Sequence, residues 1–237
     1  MLVNTTYRSS QSELMDQPNL SEVQLQLAYN DINKVNKLLG GNHITLNGVI
    51  QLTKDLPVNE PVTIIDIGCG DGEILFRCEH YALENKLNWI LVGLDNNDKS
   101  IALAKKRMPA ESKVQFQLMD VFSDELEKVT AHIFLFSLTL HHFSNDDIIR
   151  ILEKSFHQAK TGIVINDLQR SALAYRLFQL FSFCFLKSNV AKNDGLVSIL
   201  RGFKKEDLRG FSKLLPQSHQ QLKQKWAFRW QWIIQKK

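Results

Sequence analysis

The sequence predicts an α/β fold, a doubly wound parallel sheet, on three observations. Short β-branched runs alternate with helical stretches after Pro61, the runs are apolar throughout, and the first ends in a glycine-rich turn before a helix. Strands that are apolar on both faces belong to a parallel sheet covered on both sides. Five such runs read in order as "VTIIDI", "WILVGLD", "KVQFQLMD", "AHIFLFSL" and "TGIVINDL", with helices between them at "DKSIALAKKRM" and "NDDIIRILEKSFHQA".

Ahead of the sheet, Val23, Leu25, Leu27, Ile32, Val35, Leu38 and Leu39 recur at mostly helical spacing, and Gly40-Gly41 close that segment as a C-cap does. A second helix is expected over Ile44 to Leu52. Beyond the fifth strand come an apolar helix over Ala172 to Leu186, a loop at "KSNVAKNDG", and a helix over Lys204 to Leu214. The end of the sequence alternates well enough to predict two last strands paired antiparallel. The organisation expected is an N-terminal helical cap over residues 1–60 and one domain over 61–237, with a ligand-binding core at 61–167 and a substrate lid at about 168–203.

At 237 residues, 44% hydrophobic and 23% charged, the chain can bury one sizeable core. A formal net charge of +4 is too small to mark a nucleic-acid binder. Cys69, Cys78 and Cys184 are scattered without a C-x-x-C pair, which supports neither a disulfide framework nor a cysteine zinc site, and no metal is expected. The N-terminal stretch lacks the apolar core of a secretory signal, so a cytoplasmic location is expected. Ala172 to Leu186 is shorter than the roughly 20 residues that a spanning helix needs.

The glycine turn "IIDIGCGDGE" carries the chemistry. A dinucleotide fingerprint, G-x-G-x-x-G, would put its third glycine at position 73, which is Glu73; the glycine falls at Gly72 instead. Asp66 ends the strand, where a carboxylate repels pyrophosphate and welcomes an ammonium group. S-adenosylmethionine carries an amino group, a sulfonium and no phosphate, and suits these charges better than NAD. No Gly-Lys-Ser/Thr follows, which excludes a P-loop. Asp95 ends the second strand, placed to accept ribose hydroxyls, and Asp120 ends the third, placed to accept from an adenine amino group beside the Val121 N–H. One such aspartate is commonly a helix cap; three in succession favour a site.

Together "DIGCGDG", "GLDNN", "LMDVF" and "FSLTLHHF" resemble the class I S-adenosylmethionine-dependent methyltransferases, from about Pro61 to Asp167. The resemblance implies a Rossmann-like seven-stranded sheet with its last strand antiparallel. It also implies a cofactor site at Asp66, Gly68, Cys69, Gly70, Gly72, Asp95, Asn96, Asp120, Val121 and Ser137. In that family the fourth strand often begins with an aspartate that supports the glycine turn, and His132 stands there instead. "ELMDQPNL", "INDLQRSALAY", "DGLVSILRGF" and "WAFRWQW" resemble a bacterial subgroup acting on polyketide-type and quinone-like small molecules.

Methyl transfer needs a base only where the nucleophile must lose a proton. His141 and His142 follow the fourth strand and are candidates; their other reading is a loop-shaping pair. Asp167 is a further candidate base, and with Arg170 it can orient a substrate hydroxyl or carboxylate, the other reading being a helix cap and a surface ion pair. Tyr175 and Phe178 lead the aromatic lid, which is apolar nearly all round and so has surface to spare for a hydrophobic substrate. A second explanation of that surplus is peripheral docking to a membrane, aided by Arg176, Lys187 and Lys192. Glu13, Met15 and Asp16 have two readings, a segment that folds over the cofactor and a plain N-terminal tail. Lysines and arginines among Trp226, Phe228, Trp230 and Trp232 read as a half-buried strand, and nucleic-acid binding is not expected.

The function expected is methyl transfer to oxygen or carbon of a hydrophobic small molecule such as a phenol, quinol or polyketide. The rivals are an RNA or protein methyltransferase, which the absence of [DN]PP[YF] after the fourth strand disfavours, and a cofactor-binding protein without catalysis.

Overall fold

The computed structural model describes residues 3–17 and 19–237. A single 3-10 turn at Leu14–Asp16 precedes helices α1 (Glu22–Leu38) and α2 (Gly41–Thr53). Strand β1 (Val62–Ile67), helix α3 (Glu73–Glu84), β2 (Trp89–Asp95), α4 (Asp98–Arg107), β3 (Gln115–Leu118), α5 (Asp124–Glu127) and β4 (Ala131–Ser137) follow in alternation. Then come α6 (Asn145–Gln158), β5 (Ala159–Leu168), α7 (Ala172–Phe185), α8 (Asn189–Arg201), α9 (Lys205–Ser212), β6 (Ser218–Lys225) and β7 (Arg229–Lys236). The sheet order is β3-β2-β1-β4-β5-β7-β6, with β1 to β5 parallel and β7 antiparallel to both β5 and β6. This is the seven-stranded doubly wound arrangement expected.

Successive side chains of the central strands point to opposite faces, and the buried residues sort accordingly. Ile64, Ile133, Leu135, Val164 and Ile233 pack with α2, α3 and α4 on one face. Ile65, Phe134, Phe136, Ile163, Ile165 and Trp232 pack with α6 and α9 on the other. Gly48 lets α2 approach β5, since a Cβ there would lie 2.5 Å from Val164 Cγ1. A third, smaller cluster joins Ala28 of α1 to Leu186, Val190 and Ala191.

Local chemistry sets the helix starts. Ser21 caps α1 in a reciprocal capping box with Gln24, and Asn97 caps α4 by accepting from the Lys99 and Ser100 N–H groups. Gly40 adopts φ +72° between α1 and α2, the left-handed turn that lets one helix end and the next begin.

The segment expected as a loop at "KSNVAKNDG" is instead the start of α8. Ser188 caps it, accepting from the Ala191 N–H. Its loop-like residues are there for tertiary contacts: the Asp194 carboxylate accepts from the Leu14 and Met15 N–H groups at 2.8 and 2.9 Å. A Cβ on Gly195 would lie 2.3 Å from the Phe178 ring. These contacts pin the 3-10 turn and α7 onto α8. His132 stands where the resemblance would place an aspartate. Its Nδ1 accepts from the Thr63 N–H at 3.0 Å at the start of β1 and β4, the edge of the sheet opposite the glycine turn, so it does not support that turn.

Candidate active site

The carboxyl ends of β1 to β4 open into one cavity of about 1080 Å³. A parallel sheet places ligands there because the glycine turns and helix N-termini expose backbone donors at that edge. Gly68, Gly70 and Gly72 all have positive φ, at +70°, +56° and +80°. Gly68 and Gly70 line the cavity, but Gly72 does not. Gly72 caps α3 in the left-handed conformation, and a Cβ there would lie 2.6 Å from Phe116 of β3. Its role is to bring helix and strand together, so the expectation of direct ligand contact at Gly72 is corrected.

Of the residues expected around a cofactor, Asp66, Cys69, Asp95, Asn96, Asp120, Val121 and Ser137 line the cavity with Gly68 and Gly70. Asp66 is fully buried and its Oδ1 has no hydrogen-bond partner. Burial, followed by the nearby charge of Asp95, raises its pKa well above the ordinary carboxylate range. A cationic group beside it would relieve both penalties. Asp95 spans the turn, its two oxygens accepting from the Gly70 and Asn97 N–H groups at 2.9 Å each. Burial raises its pKa against those two hydrogen bonds. Each carboxylate oxygen keeps a lone pair for a ligand hydroxyl. Asp120 Oδ1 accepts from the Phe122 N–H at 2.8 Å, and the Ser137 and Thr45 hydroxyls lie 3.0 Å apart. The acidic wall continues through Asp71, which accepts from Asn33 at 2.7 Å and pairs with Arg107.

The roof comes from distant parts of the sequence. The 3-10 turn carries Glu13, Met15 and Asp16 over the cavity, joined by Tyr29 and Ile32 of α1, Phe178 and Phe181 of α7, and Ser198 of α8. Tyr29 packs on Gly70, where a Cβ would lie 2.9 Å from its ring, and its hydroxyl is 2.7 Å from Ser100 Oγ.

Beneath the roof lies a polar cluster. His141 is buried, with Nδ1 2.7 Å from Asp167 Oδ1 and Nε2 3.3 Å from Glu13 Oε1. Burial opposes its charge, but the charge and hydrogen bond of Asp167, and then those of Glu13, outweigh it and raise its pKa to about 9. Burial likewise opposes the charge of Glu13, yet its hydrogen bond to His141 and the two histidines bring it down to about 2. Ser198 Oγ donates to Glu13 Oε1 at 2.6 Å. His142 is part-exposed, with Nδ1 3.2 Å from Asp16 Oδ2 and Nε2 3.8 Å from Glu13 Oε2.

Four expected roles change. Protonated between two carboxylates, His141 has no lone pair to accept a proton at neutral pH. Asp167 is wholly buried under His141 and does not line the cavity, so it acts through that histidine and not as a base on the substrate. Arg170 does not pair with Asp167: its guanidinium donates to the Gly202 carbonyl at 2.6 Å and to Asp207 at 3.0 Å, outside the cavity, where it locks the chain ahead of α7 to that ahead of α9. Tyr175 likewise lies outside the cavity wall, whereas Phe178 is part of it.

Sequence reasoning missed Tyr29, Asn33, Ser198 and Arg229. Arg229 is buried on the cavity wall, donates to Asn36 Oδ1 at 2.7 Å, and leaves Nε and Nη1 without partners. Burial lowers its pKa to about 10, against the charge of Asp167. These residues reach the site only through packing of α1, α8 and β7, which no local motif announces.

The family model described as "Methyltransferase domain" matches residues 64–162. No curated protein sequence matches the chain. Among solved structures, the plantazolicin methyltransferase BpumL, crystallised with SAH, superposes with TM-score 0.64 at 16% identity, covering 91% of this chain and 96% of that one. Human N-acetylserotonin methyltransferase, crystallised with SAM, gives TM-score 0.61 at 17% identity, covering 91% of this chain and 56% of that one. Magnesium protoporphyrin IX methyltransferase from Synechocystis PCC 6803, with bound SAH, gives 0.56 at 12%, covering 88% and 94%. At these identities the likeness is one of fold, and it extends the match well beyond the residues of the family model. Residues 64–162 match a methyltransferase domain, and the chain shares its fold with methyltransferases crystallised with SAM or SAH.

Proposed function

We propose that the chain transfers the methyl group of S-adenosylmethionine to an oxygen of a hydrophobic small molecule of phenol, quinol or polyketide type. The observation that carries this is the cavity itself. At about 1080 Å³ it exceeds the range of about 300–1,000 Å³ usual for one small-molecule site, and its walls divide into two chemistries. The strand ends are acidic, and the roof of Leu177, Phe178, Phe181 and Ile32 is apolar.

The acidic half fits the cofactor and would disfavour a phosphate. In this reading Asp66 holds the ammonium of the methionine moiety, Asp95 the ribose hydroxyls, and Asp120 with the Val121 N–H the adenine. The cofactor supplies an activated methyl on sulfur. The protein aligns the acceptor oxygen with it and excludes water. The apolar roof holds the body of the acceptor, and its hydroxyl lies at the polar cluster, beside Glu13 and His142. The neighbours named above act on plantazolicin, N-acetylserotonin and magnesium protoporphyrin IX, acceptors too different to narrow the choice.

The outer face of α7 favours a lipophilic acceptor delivered from an anionic membrane surface. Leu173, Leu180 and Phe183 are 59%, 65% and 80% exposed, beside Arg176 and Lys187, while Phe178 on the inner face lines the cavity. One helix thus joins an apolar outer surface to the acceptor's pocket. Among the described residues no helix is long and apolar enough to cross a membrane.

The test is methyl transfer from labelled S-adenosylmethionine to a panel of phenols, quinols and extracted lipids. Label in an organic-soluble product supports the reading. Label recovered in RNA or protein, or cofactor binding without turnover on any fraction, overturns it.

A further inference from the structure

We propose that Glu13, His141 and His142 form a binding site for one divalent first-row transition ion, zinc in its redox-neutral form, on the acceptor side of the cavity. The inference rests on the methyltransferase reading only for its purpose; the site stands on its own geometry.

The three residues offer one ligand atom each, all within 4.8 Å of one another. His141 Nε2 is 3.3 Å from Glu13 Oε1, and His142 Nε2 is 3.8 Å from Glu13 Oε2. Ions of this kind bind nitrogen and oxygen ligands at about 2.0–2.2 Å, so one ion can bridge the 3.3 and 3.8 Å separations as they stand, and a small side-chain adjustment closes any wider one. His141 Nε2 is buried, and its near neighbour is Glu13 Oε1 at 3.3 Å, a long contact that leaves room for an ion to take over.

The surroundings orient all three. Asp167 Oδ1 holds His141 Nδ1 at 2.7 Å, and Asp16 Oδ2 holds His142 Nδ1 at 3.2 Å. A carboxylate on one ring nitrogen fixes the tautomer that leaves the other nitrogen free as a ligand. Both rings are therefore turned so that their Nε2 atoms meet at one carboxylate. Ser198 Oγ fixes that carboxylate in turn, at 2.6 Å. With neutral imidazoles, the carboxylates of Glu13, Asp16 and Asp167 touch the two rings, and the Arg8 and Arg201 guanidiniums, which donate to the His141 carbonyl at 3.1 and 2.9 Å, offset that negative charge only in part, so a divalent ion is still favoured there. Two imidazoles and a carboxylate form the donor set of His2Glu zinc sites and of facial-triad centres, both of which keep open positions. Here the open side is the cavity, since all three ligand residues line it.

The ion's charge beside the acceptor hydroxyl makes its proton more acidic, so the oxygen attacks as an anion. The methyl C–S bond breaks with its electron pair left on sulfur, the C–O bond forms, and the hydroxyl proton passes to solvent. No redox change occurs. Ligation requires neutral imidazoles, so ion binding displaces the proton between His141 and Glu13.

The experiment uses the full chain, stripped with a chelator and titrated with divalent cobalt and then zinc, without cofactor. The expected result is one cobalt per chain, with visible d–d absorption that zinc abolishes. Glu13→Gln and His142→Ala should lose stoichiometric binding, and Asp16→Asn should weaken it by about 10–100-fold. His80→Ala, on an exposed helix surface, should leave binding unchanged. Because His142 is part-exposed, its variant is checked for an unchanged thermal midpoint, and Asp16→Asn provides the second reading. No saturable binding by the parent protein overturns the site, as does binding that survives both Glu13→Gln and His142→Ala. Cofactor binding is titrated separately. Its presence without metal binding sinks this inference alone, whereas its absence sinks the methyltransferase reading and leaves the metal result to stand.

Discussion

At the scale of single residues, the cavity sets stability against binding. Asp66 is a buried carboxylate whose pKa is raised by burial and by Asp95. Between its unfolded and its higher folded pKa the folded state holds more protons, so stability falls as pH rises through that window. Asp66→Asn should therefore raise the thermal midpoint of the ligand-free protein at neutral pH, by about 2–4 °C for each kcal/mol relieved. The same variant should bind S-adenosylmethionine more weakly, as expected where a site is kept strained for function. In the parent, an ammonium beside Asp66 favours its ionised form. Cofactor binding should then release a proton and strengthen as pH rises toward the raised pKa. Calorimetry in buffers of different ionisation heat reads this directly; a heat independent of buffer would remove Asp66 from the cofactor's amino group. Asp95→Ala should weaken cofactor binding by about 10–100-fold, the loss of charge-assisted hydrogen bonds of about 1.5–3 kcal/mol. An unchanged affinity would take Asp95 out of the site.

At the scale of elements, α8 governs the roof. Asp194 accepts from the Leu14 and Met15 N–H groups and so holds the turn that carries Glu13. Asp194→Ala removes the acceptor of two part-buried donors, a cost of at most about 1–3 kcal/mol each, and should free residues 13–16 to proteolysis while α3 and the glycine turn stay protected. Equal protection in parent and variant would show that the turn is held by something else. The outer face of α7 makes its own prediction: Leu180→Ser with Phe183→Ser should abolish sedimentation with anionic vesicles and leave the fold intact, because both side chains are exposed. These two elements also mark where the sequence was legible. The five parallel strands, α7 and the acids at the ends of the first three strands were readable because each is a local pattern of burial or capping. The identity of α8 was hidden because Asn193, Asp194 and Gly195 resemble turn residues. Their use is a contact with a segment some 180 residues earlier. Arg170 misled for the same reason: next to Asp167 in sequence, it turns away to Gly202 and Asp207.

At the scale of the whole molecule, the doubly wound sheet brings the ends of β1 to β4 to one edge, and α1, α7 and α8 close over it with the N-terminal turn. The cofactor half of the site was legible in the sequence, since one strand edge gathers residues that local motifs announce. The acceptor half was only partly so. Residues near position 13, the histidine pair and the start of β7 meet there by tertiary packing, and Tyr29, Ser198 and Arg229 carry no motif. The same division underlies the proposed function, in which the strand ends hold a cationic, phosphate-free cofactor and the roof holds an apolar acceptor. The measurement that tests this most directly is the fate of the methyl group when the purified protein is given methyl-labelled S-adenosylmethionine and a whole-cell extract. The account predicts label in an apolar small molecule, heavier than its precursor by one CH2 unit and absent with Asp95→Ala. Label confined to RNA or protein, or no transfer despite bound cofactor, would contradict it.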